Sequence, residues 1–500
     1  MKKKITLLNM ITTLAAQLIT ILSGFIIPKL ILTTFGSEVN GLVSSINQFL
    51  NYINLVEGGI SGVIIASLYS PIYKKDNKKI SSIIKTADNF YKKISFLFIV
   101  YILILALLYP ILFKSSFSFS FVSSLVIILS LTLFIRYMFS LTMRNLLVAD
   151  KKVYIISTVQ SIITIINIFI AYLSIKIYPS IHIFKLCTGL MFILQPVIFR
   201  RYISKNYNLD LNVKEEKSIL KSRWDGFAIN IATFIHNSTD IAILTIFTNL
   251  NVVSIYSTYV LISSGLKQIF ESLTNGINPA IGQAYAKNNL VELNKKMDMY
   301  EYFVIVTTFF VFSVAAFLIT PFVMIYTKNI NDADYYRPLF GILILISEGL
   351  YVLNIPHLNL AYSANKFKQL TVPAFIEATI NIVVSMILVK KYGLIGVAIG
   401  TIVAMTYNLI FYASFMKKII PNRKSVEFYK KICLFILSAI IGSVICSMFG
   451  KINYNYSSWI FSAIIYSCIF GIIYSVISLL FFRKELCYLK KYLFKEKIKH

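Results

Sequence analysis

Long apolar runs alternate with short polar gaps along the whole chain. We count about fourteen runs, most with the twenty or so residues that an α-helix needs to cross the hydrocarbon core of a bilayer. They lie at 5–32, 38–70, 94–113, 117–148, 153–175, 180–199, 225–248, 252–283, 302–327, 338–362, 370–389, 393–416, 432–450 and 456–482. This pattern predicts an all-α, polytopic integral membrane protein with about fourteen transmembrane helices.

The basic residues are sorted between the gaps. Most of the 49 Lys and Arg residues lie in every second gap, for example in 71–93, 200–224 and 417–431. The gaps in between hold only seven, which are Lys114, Lys176, Lys328, Arg337, Lys390, Lys391 and Lys451. Because basic side chains are retained on the cytoplasmic side during insertion, the alternation predicts that both chain ends are cytoplasmic. The same topology places the pair Lys390-Lys391 outside, against the trend.

Composition agrees with a membrane location. Mean hydropathy is +0.74 and 14% of residues are charged, against roughly a quarter in soluble proteins. A net charge of +28 would indicate nucleic acid in a soluble protein. Here the excess lies on one predicted membrane face, so we expect contact with anionic lipid and none with nucleic acid. The five cysteines show no CxxC spacing and no histidine at ligand spacing, so neither a disulfide framework nor a zinc site is predicted. We expect no metal and no cofactor.

The chain also contains an internal repeat. Residues of the first half recur in the second half at a nearly constant distance along the chain. Examples are Phe35 with Phe247, Pro110 with Pro321, and 149–151 with 364–366. Both copies start inside and hold an even number of helices, which predicts two parallel six-helix repeats plus a C-terminal helix pair. The predicted domains are an N-terminal lobe at 1–199, a cytoplasmic inter-lobe linker at 200–224, a C-terminal lobe at 225–416, and an extra helix pair with a basic tail at 417–500.

Two stretches of sequence resemble a known family. Pro-Lys-Leu at 28–30, followed by Phe-Gly-Ser-Glu-Val-Asn-Gly-Leu at 35–42, is similar to the opening of bacterial polysaccharide flippases. Lys-Tyr-Gly-Leu-Ile-Gly-Val-Ala-Ile-Gly-Thr at 391–401, shortly after Asn381, is similar to a later signature. These O-antigen, capsule and exopolysaccharide flippases belong to the multidrug/oligosaccharidyl-lipid/polysaccharide export superfamily. The resemblance implies a two-lobed, twelve-helix core, often with an added helix pair, that moves lipid-linked oligosaccharides across the membrane.

Ionisable residues inside the apolar runs are the candidate functional residues, because a charge in hydrocarbon is costly and usually faces a cavity or a partner. If the repeats pack face to face, helices one, two, seven and eight would converge on one central cavity. The predicted substrate-cavity residues are then Lys29, Glu57, His236, Asp240, Lys267 and Glu271.

Structural alternatives stay open for several of these residues. Lys267 and Glu271 are four residues apart and could neutralise each other. His236 could be an interhelical hydrogen-bonding residue, and Lys29 could extend its ammonium to the membrane surface. Asp240 is the strongest single candidate, because its run offers no nearby cation.

Four further charged residues lie inside runs. Arg136, towards the inner end of its run, and Lys185, near the outer end of its own, are interpreted as side chains that reach the membrane surface. Glu348 and Glu377 are candidates for either a cavity or helix packing, and the sequence does not separate the two.

Three functions compete. The first is a flippase that translocates polyprenyl-pyrophosphate-linked oligosaccharide across the bacterial cytoplasmic membrane by alternating access. The second is a drug/cation antiporter of the same superfamily. The third is a polytopic membrane enzyme such as an oligosaccharide polymerase or acyltransferase, which the short, histidine-free outer gaps disfavour. For a flippase the expected partners are an undecaprenyl-type lipid-linked oligosaccharide, a coupling ion (H⁺ or Na⁺), a polysaccharide polymerase and glycosyltransferases.

The predicted topology can be tested by cysteine labelling in intact cells. In a variant without its native cysteines, a single cysteine placed within 200–224 should be protected from a membrane-impermeant thiol reagent, while one at Asn331 should react. Labelling after cell lysis controls for intrinsic reactivity. Labelling of 200–224 from outside would contradict the assignment.

Overall fold

The computed structural model describes helices joined by short turns, with no strand in the part of the chain that it covers. The described residues are 2–57, 59–113, 115–210, 212–216, 218–219, 231, 234–235, 238–275, 277–287, 289–421, 423–450 and 452–493. The chain forms two compact units, Met1–Ser254 and Ile255–His500.

The first unit is a bundle of long helices. They are α1 (Lys2–Asn51), α2 (Asn54–Glu57), α3 (Ile60–Lys74), α4 (Asn77–Leu112), α5 (Phe119–Ile135), a π-helical turn (Arg136–Ser140), α6 (Leu141–Ala149), α7 (Val153–Ile177), α8 (Ile181–Leu190), α9 (Leu194–Asn206) and α10 (Asp240–Phe247). One buried apolar core, including Leu42, Leu68, Phe98 and Phe184, joins helices of this unit.

A helix at the unit boundary, α11 (Leu250–Asn275), leads into the second unit. There follow α12 (Asn278–Ala286), α13 (Leu290–Tyr326), α14 (Pro338–Ser363), α15 (Phe367–Tyr392), α16 (Leu394–Phe415), α17 (Ser425–Ser447), α18 (Tyr456–Phe481) and α19 (Arg483–Leu493). Aromatic rings of α17 and α18 pack on α13, for example Phe435 against Phe309 with ring centroids 5.7 Å apart. This packing fixes the extra helix pair to the second unit.

Eleven helices in the described part of the chain are long and apolar enough to cross a membrane. Their outward faces carry many exposed Leu, Ile and Phe side chains, as expected where lipid is the solvent. The all-α, polytopic fold is therefore confirmed. The total of fourteen spans stays a prediction, since much of 217–237 lies outside the described residues.

The first two apolar runs are not uniform helices. Within α1 the backbone at Gly36 adopts φ 86° and ψ 176°, a region that is essentially restricted to glycine. The second run breaks again between Asn51 and Ile60, where the short α2 ends at Glu57 and Gly59 has φ 82°. Glu57 thus lies beside an interruption, where its carboxylate can meet polar groups that a continuous helix would not present.

The predicted repeat pairs two long helices of similar length. Helix α4 has 36 residues and contains Pro110, and α13 has 37 residues and contains Pro321. The turns that follow α6 and α14 have the same backbone geometry, with φ of 60° at Lys151 and 55° at Asn365. The amide of the next residue then bonds back five residues in both turns. Lys151 and Asn365 therefore share the same local backbone geometry, at the two positions that the predicted repeat pairs.

The first residues of the predicted linker belong to α9, which ends at Asn206, and residues 213–216 lie along α4. The Lys85 ammonium donates to the Val213 carbonyl at 2.9 Å, and the amide of Glu216 donates to Thr86 Oγ1 at 2.8 Å. Asn89 Nδ2 donates to the Glu215 carboxylate at 2.7 Å. These bonds hold residues 213–216 against the first turns of α4, at the end of the bundle that the charge pattern places in the cytoplasm.

The glycine-rich signature lies where α15 and α16 approach each other most closely. A Cβ added at Gly396 would lie 2.5 Å from the Leu388 carbonyl carbon, and one at Gly400 would overlap Ser385. Nearby, Asn381 Nδ2 donates to Thr401 Oγ1 at 3.1 Å. Small residues that let two backbones approach, flanked by an interhelical hydrogen bond, are a common means of joining helices in a membrane.

The close contact predicts that Gly396→Ala destabilises the protein by about 1–3 kcal/mol, because the added methyl group must displace the backbone of α15. The measurement is thermal unfolding of the purified protein in detergent. Gly62→Ala in α3 is the matched control, since a Cβ there meets nothing within 4 Å and the change improves helix propensity. Equal melting temperatures for the two variants would show that the contact is not needed for stability.

Candidate functional site

The predicted cavity residues divide between the two units. Lys29 on α1 and Glu57 on α2 are half-buried in the first unit, and Asp240 is the first residue of α10. Lys267 and Glu271 lie on α11 in the second unit. His236 lies outside the described residues. That these residues share one cavity stays a prediction.

Asp240 is the first residue of α10, and Thr239 before it also has helical backbone angles, with φ −94° and ψ −33°. One carboxylate oxygen, Oδ1, is buried. Described helical residues also precede Asp240 at 231, 234–235 and 238, so a position inside a longer helix stays a prediction.

Glu57 is the centre of a hydrogen-bonded network that joins four segments of the first unit. Ser61 donates to Glu57 Oε1 at 2.5 Å, and the hydroxyl of Tyr137 lies 3.2 Å from Oε2. The same Tyr137 hydroxyl donates to Asn54 Oδ1 at 2.6 Å. Tyr91 extends the network, with its hydroxyl 2.7 Å from Ser61 Oγ. The carboxylate is therefore held by neutral donors, and no cation lies at ion-pair distance from it among the described residues.

In the second unit Lys267 pairs with an acid on a neighbouring helix. Its ammonium lies 3.4 Å from Glu348 Oε2, and both side chains are only 15% exposed. It also lies 4.0 Å from the centre of the Tyr351 ring, a cation–π distance. Glu271 accepts a hydrogen bond from the Tyr351 hydroxyl at 3.1 Å.

The ion pair of Lys267 thus runs between helices, to Glu348, and not along α11 to Glu271 as the spacing suggested. A Lys that precedes Glu by four residues is the less favourable order on a helix. A partner on α14 also links two helices, which a pair within α11 cannot do. Glu348 becomes a candidate site residue, and Tyr351 is one that no sequence pattern singled out.

A second charged cluster was missed by the sequence reasoning. Arg423, in the turn before α17, makes ion pairs with Asp298 at 2.9 Å and with Glu301 at 2.8 Å, both on α13. Its other terminal nitrogen donates to Asn294. His357 on α14 lies 3.0 Å from the second oxygen of Glu301. Nothing in the local sequence distinguishes Arg423 from the other basic residues of its gap, because its partners lie on a helix far back along the chain.

The electrostatics of Arg423 favour a permanent charge. Burial would lower the pKa of its guanidinium, but the neighbouring carboxylates of Glu301 and Asp298 outweigh this and raise that pKa. Glu301 and His357 are nearly fully buried. Since an unpaired buried charge is costly, we interpret this cluster as the connection that holds the extra helix pair to α13 and α14.

A similar connection occurs at the inner turn of the first unit. Lys152 pairs with Asp150 at 2.8 Å and donates to the Tyr207 hydroxyl at 3.1 Å. Burial lowers the pKa of the Lys152 ammonium, but the hydrogen bonds with Asp150 and Tyr207 outweigh it and the pKa is raised overall. This contact joins the turn after α6 to the end of α9.

The network around Glu57 and the cluster around Lys267 together offer hydroxyl, amide, carboxylate and ammonium groups to a polar ligand. Hydroxyl and amide groups suit sugar hydroxyls, and an ammonium group suits phosphate. Within the residues covered by the structure, no group of three His, Cys, Asp or Glu side chains is arranged to hold a metal ion.

Comparison with solved structures identifies the fold. The lipid II flippase MurJ, in an inward closed conformation, aligns with a TM-score of 0.71 and 18% identity, over 94% of this chain and 99% of that chain. A multidrug resistance MATE family transporter of the MOP superfamily, inward-facing, aligns with a TM-score of 0.58 and 14% identity, over 83% and 100%. The MATE multidrug transporter DinF-BH, in a ligand complex, aligns with a TM-score of 0.59 and 14% identity, over 83% and 95%.

At this level of identity the likeness concerns the fold. It shows that the chain shares its fold with these proteins. These neighbours are a flippase and transporters, not enzymes. No model of a known protein family matches the sequence, and no curated protein matches it by sequence.

The Lys267–Glu348 contact predicts strong coupling between the two side chains. Lys267→Met alone leaves the Glu348 carboxylate without this partner and should lower the unfolding free energy by about 3–5 kcal/mol. The double change Lys267→Met with Glu348→Gln should recover most of that loss. Thermal unfolding of the purified protein measures both.

Glu271→Gln is the matched control, because it neutralises a carboxylate on the same helix that bonds to Tyr351. Its combination with Lys267→Met should recover little stability. If the Glu271 combination recovers as much as the Glu348 combination, the two carboxylates share the lysine and the pairing described above is incomplete.

Proposed function

We propose that the protein is a flippase that moves a polyprenyl-pyrophosphate-linked oligosaccharide across the bacterial cytoplasmic membrane. The extent of the structural match is the observation that supports this most. The segment 417–500, which holds the extra helix pair, makes up a sixth of the chain. The alignment with the lipid II flippase covers 94% of the chain and must therefore include most of this segment.

The two transporter alignments do not require the segment. Each covers 83% of the chain, so the share left uncovered is about as large as 417–500. The extra helix pair, fixed to α13 by aromatic packing and by Arg423, is thus a feature that favours the flippase over the drug/cation antiporter. The antiporter remains the second candidate, because its fold is shared.

The proposed mechanism is alternating access between two parallel six-helix lobes, 1–199 and 225–416, joined by the linker 200–224. The polar headgroup enters a central cavity from the inner leaflet, while the polyprenyl tail stays in lipid. Transfer of a charged headgroup through hydrocarbon is prohibitive without compensating hydrogen bonds. In this proposal Lys29 and Lys267 attract the pyrophosphate, and Glu57, His236, Asp240 and Glu271 complete the polar lining.

The proposed partners follow from this reaction. An undecaprenyl-type lipid would carry the oligosaccharide, glycosyltransferases would supply it on the inner side, and a polymerase would consume it outside. A coupling ion, H⁺ or Na⁺, would bind an acidic side chain such as Glu57 or Asp240. Both chain ends would lie in the cytoplasm, in agreement with the charge pattern.

Liposomes containing the purified protein can separate the two candidate functions. Fluorescent polyprenyl-pyrophosphate oligosaccharide in the inner leaflet should become accessible to an added glycosidase, whereas a cationic rhodamine dye should not be accumulated in response to a proton or sodium gradient. The opposite pair of results would identify an antiporter and contradict the proposal.

Asp240→Asn extends this assay to the site. The change keeps the shape of the side chain and removes its charge. The flipping rate should therefore fall by about tenfold or more, equivalent to about 1.4 kcal/mol of activation free energy, at an unchanged melting temperature. Glu427→Gln, an exposed carboxylate in the first turn of α17, is the control and should flip at the original rate. Equal rates for the two variants would remove Asp240 from the proposed site.

A further inference from the structure

A cavity of about 410 Å³ lies in the first unit, apart from the residues assigned to the proposed route. It is lined by α1, the α5–α6 region, α7 and α9. The larger polar side chains of its lining are Arg136, Arg144, Gln160 and Gln195, and none of the described residues that line it is acidic. A volume of this size suits a small polar headgroup.

The two arginines are the unusual feature of this cavity. Within the part of the chain that the structure describes, neither guanidinium makes an ion pair or a side-chain hydrogen bond. Glu57 attracts Arg144 through space but makes no ion pair with it. Both arginine side chains are accessible, so a ligand in the cavity can reach them. Two cations without a paired acid between membrane helices are costly unless an anion or water accompanies them.

The backbone is shaped to present these groups. Arg136 begins the π-helical turn Arg136–Ser140, a geometry that often occurs at functional sites. The next residue, Tyr137, is buried and bonded to Asn54 and Glu57 of α2. This anchor fixes the turn with Arg136 at the cavity. Arg136 therefore lines a cavity, which the sequence pattern did not indicate.

Two amide side chains complete the lining. Gln195 Nε2 donates to Gln160 Oε1 at 3.2 Å, which ties α9 to α7. The amide nitrogen of Gln160 is then left without a bond to any described residue and can donate to a ligand. The cavity therefore combines two guanidinium groups with an amide donor, a set that matches the oxygens of a phosphate group.

The depth of the cavity indicates where such a phosphate would come from. Arg144 lies just over one turn before the end of α6, and Gln160 about two turns after the start of α7. At 1.5 Å per residue both lie about 8–10 Å from the ends that the charge pattern places in the cytoplasm, and Arg136 lies about 20 Å from them. Basic pockets between helices at this level are suited to lipid headgroups of the inner leaflet.

We infer that this cavity binds the phosphate or diphosphate group of a lipid headgroup from the inner leaflet. The ligand class is a lipid phosphate ester, and its source is either a membrane phospholipid or a polyprenyl pyrophosphate. In the second case the cavity would hold the carrier lipid apart from the proposed central route. The inference rests on the geometry of one unit and does not require that the protein is a flippase.

Native mass spectrometry of the full-length protein in detergent tests the inference. Three probes are titrated: phosphatidylglycerol, undecaprenyl pyrophosphate, and diacylglycerol, which lacks phosphate. The double variant Arg136→Gln with Arg144→Gln should bind one or both phosphate lipids at least tenfold more weakly and should leave the weak background binding of diacylglycerol unchanged. Arg200→Gln with Arg201→Gln, which alters two exposed arginines near the end of α9, should bind as the unaltered protein does.

The two phosphate probes distinguish the sources. A loss confined to phosphatidylglycerol assigns the cavity to membrane phospholipid, and a loss confined to undecaprenyl pyrophosphate assigns it to the carrier lipid. If neither affinity changes, or if the Arg200 and Arg201 control loses as much, the inference is overturned.

A stability measurement separates a ligand site from a structural role. Without added lipid, the glutamine double variant should melt at the same temperature as the unaltered protein or higher, because two like charges without an acid partner are removed. A lower melting temperature in delipidated protein would mean that the arginines stabilise the fold, and this outcome also overturns the inference. The double variant Arg136→Lys with Arg144→Lys keeps both charges and should show an intermediate loss of binding, since lysine lacks the bidentate fork.

Discussion

A charge buried among helices is stable only where a neighbouring segment supplies a counter-charge or hydrogen bonds, and this requirement organises the interior of the molecule. Lys267 meets it through Glu348 and Tyr351, and Arg423 through Asp298 and Glu301. Hydrophobic attraction between helices is weak where lipid is equally apolar. Each polar contact therefore selects which helices are neighbours, and the same side chains that could interact with a ligand also hold the bundle together.

The sequence predicted the elements better than their partners. Apolar runs and the alternation of basic gaps identified an all-α membrane protein, and the repeat anticipated the similar lengths of α4 and α13. For Lys267 the sequence suggested Glu271 as the partner, because spacing within one apolar run identifies only neighbours on the same helix. Glu348, three helices further along the chain, is visible as a partner only once α11 and α14 are packed. The π-helical turn that begins at Arg136 likewise leaves no trace in the apolar pattern.

The fold and the function rest on different kinds of support. A single architecture serves both the lipid II flippase and the MATE transporters, so the substrate must be argued from sites and from added elements. In this chain the added element is the pair α17 and α18, and its attachment through Arg423 is part of the buried structure rather than a loose extension. The polar networks around Glu57 and Lys267 provide hydrogen-bonding groups in each unit, and the proposed route for a large hydrated headgroup would draw on both.

The contact between α15 and α16 has a consequence for how relatives of this protein are recognised. Gly396 and Gly400 lie where a side chain would overlap the neighbouring helix at Leu388 and Ser385. A motif of this origin should persist in every protein that keeps the helix pair, whatever cargo it carries. Searches that depend on the motif will therefore collect exporters of unrelated substrates into one group, and the residues that divide such a group by cargo must be sought on the helices that carry charge.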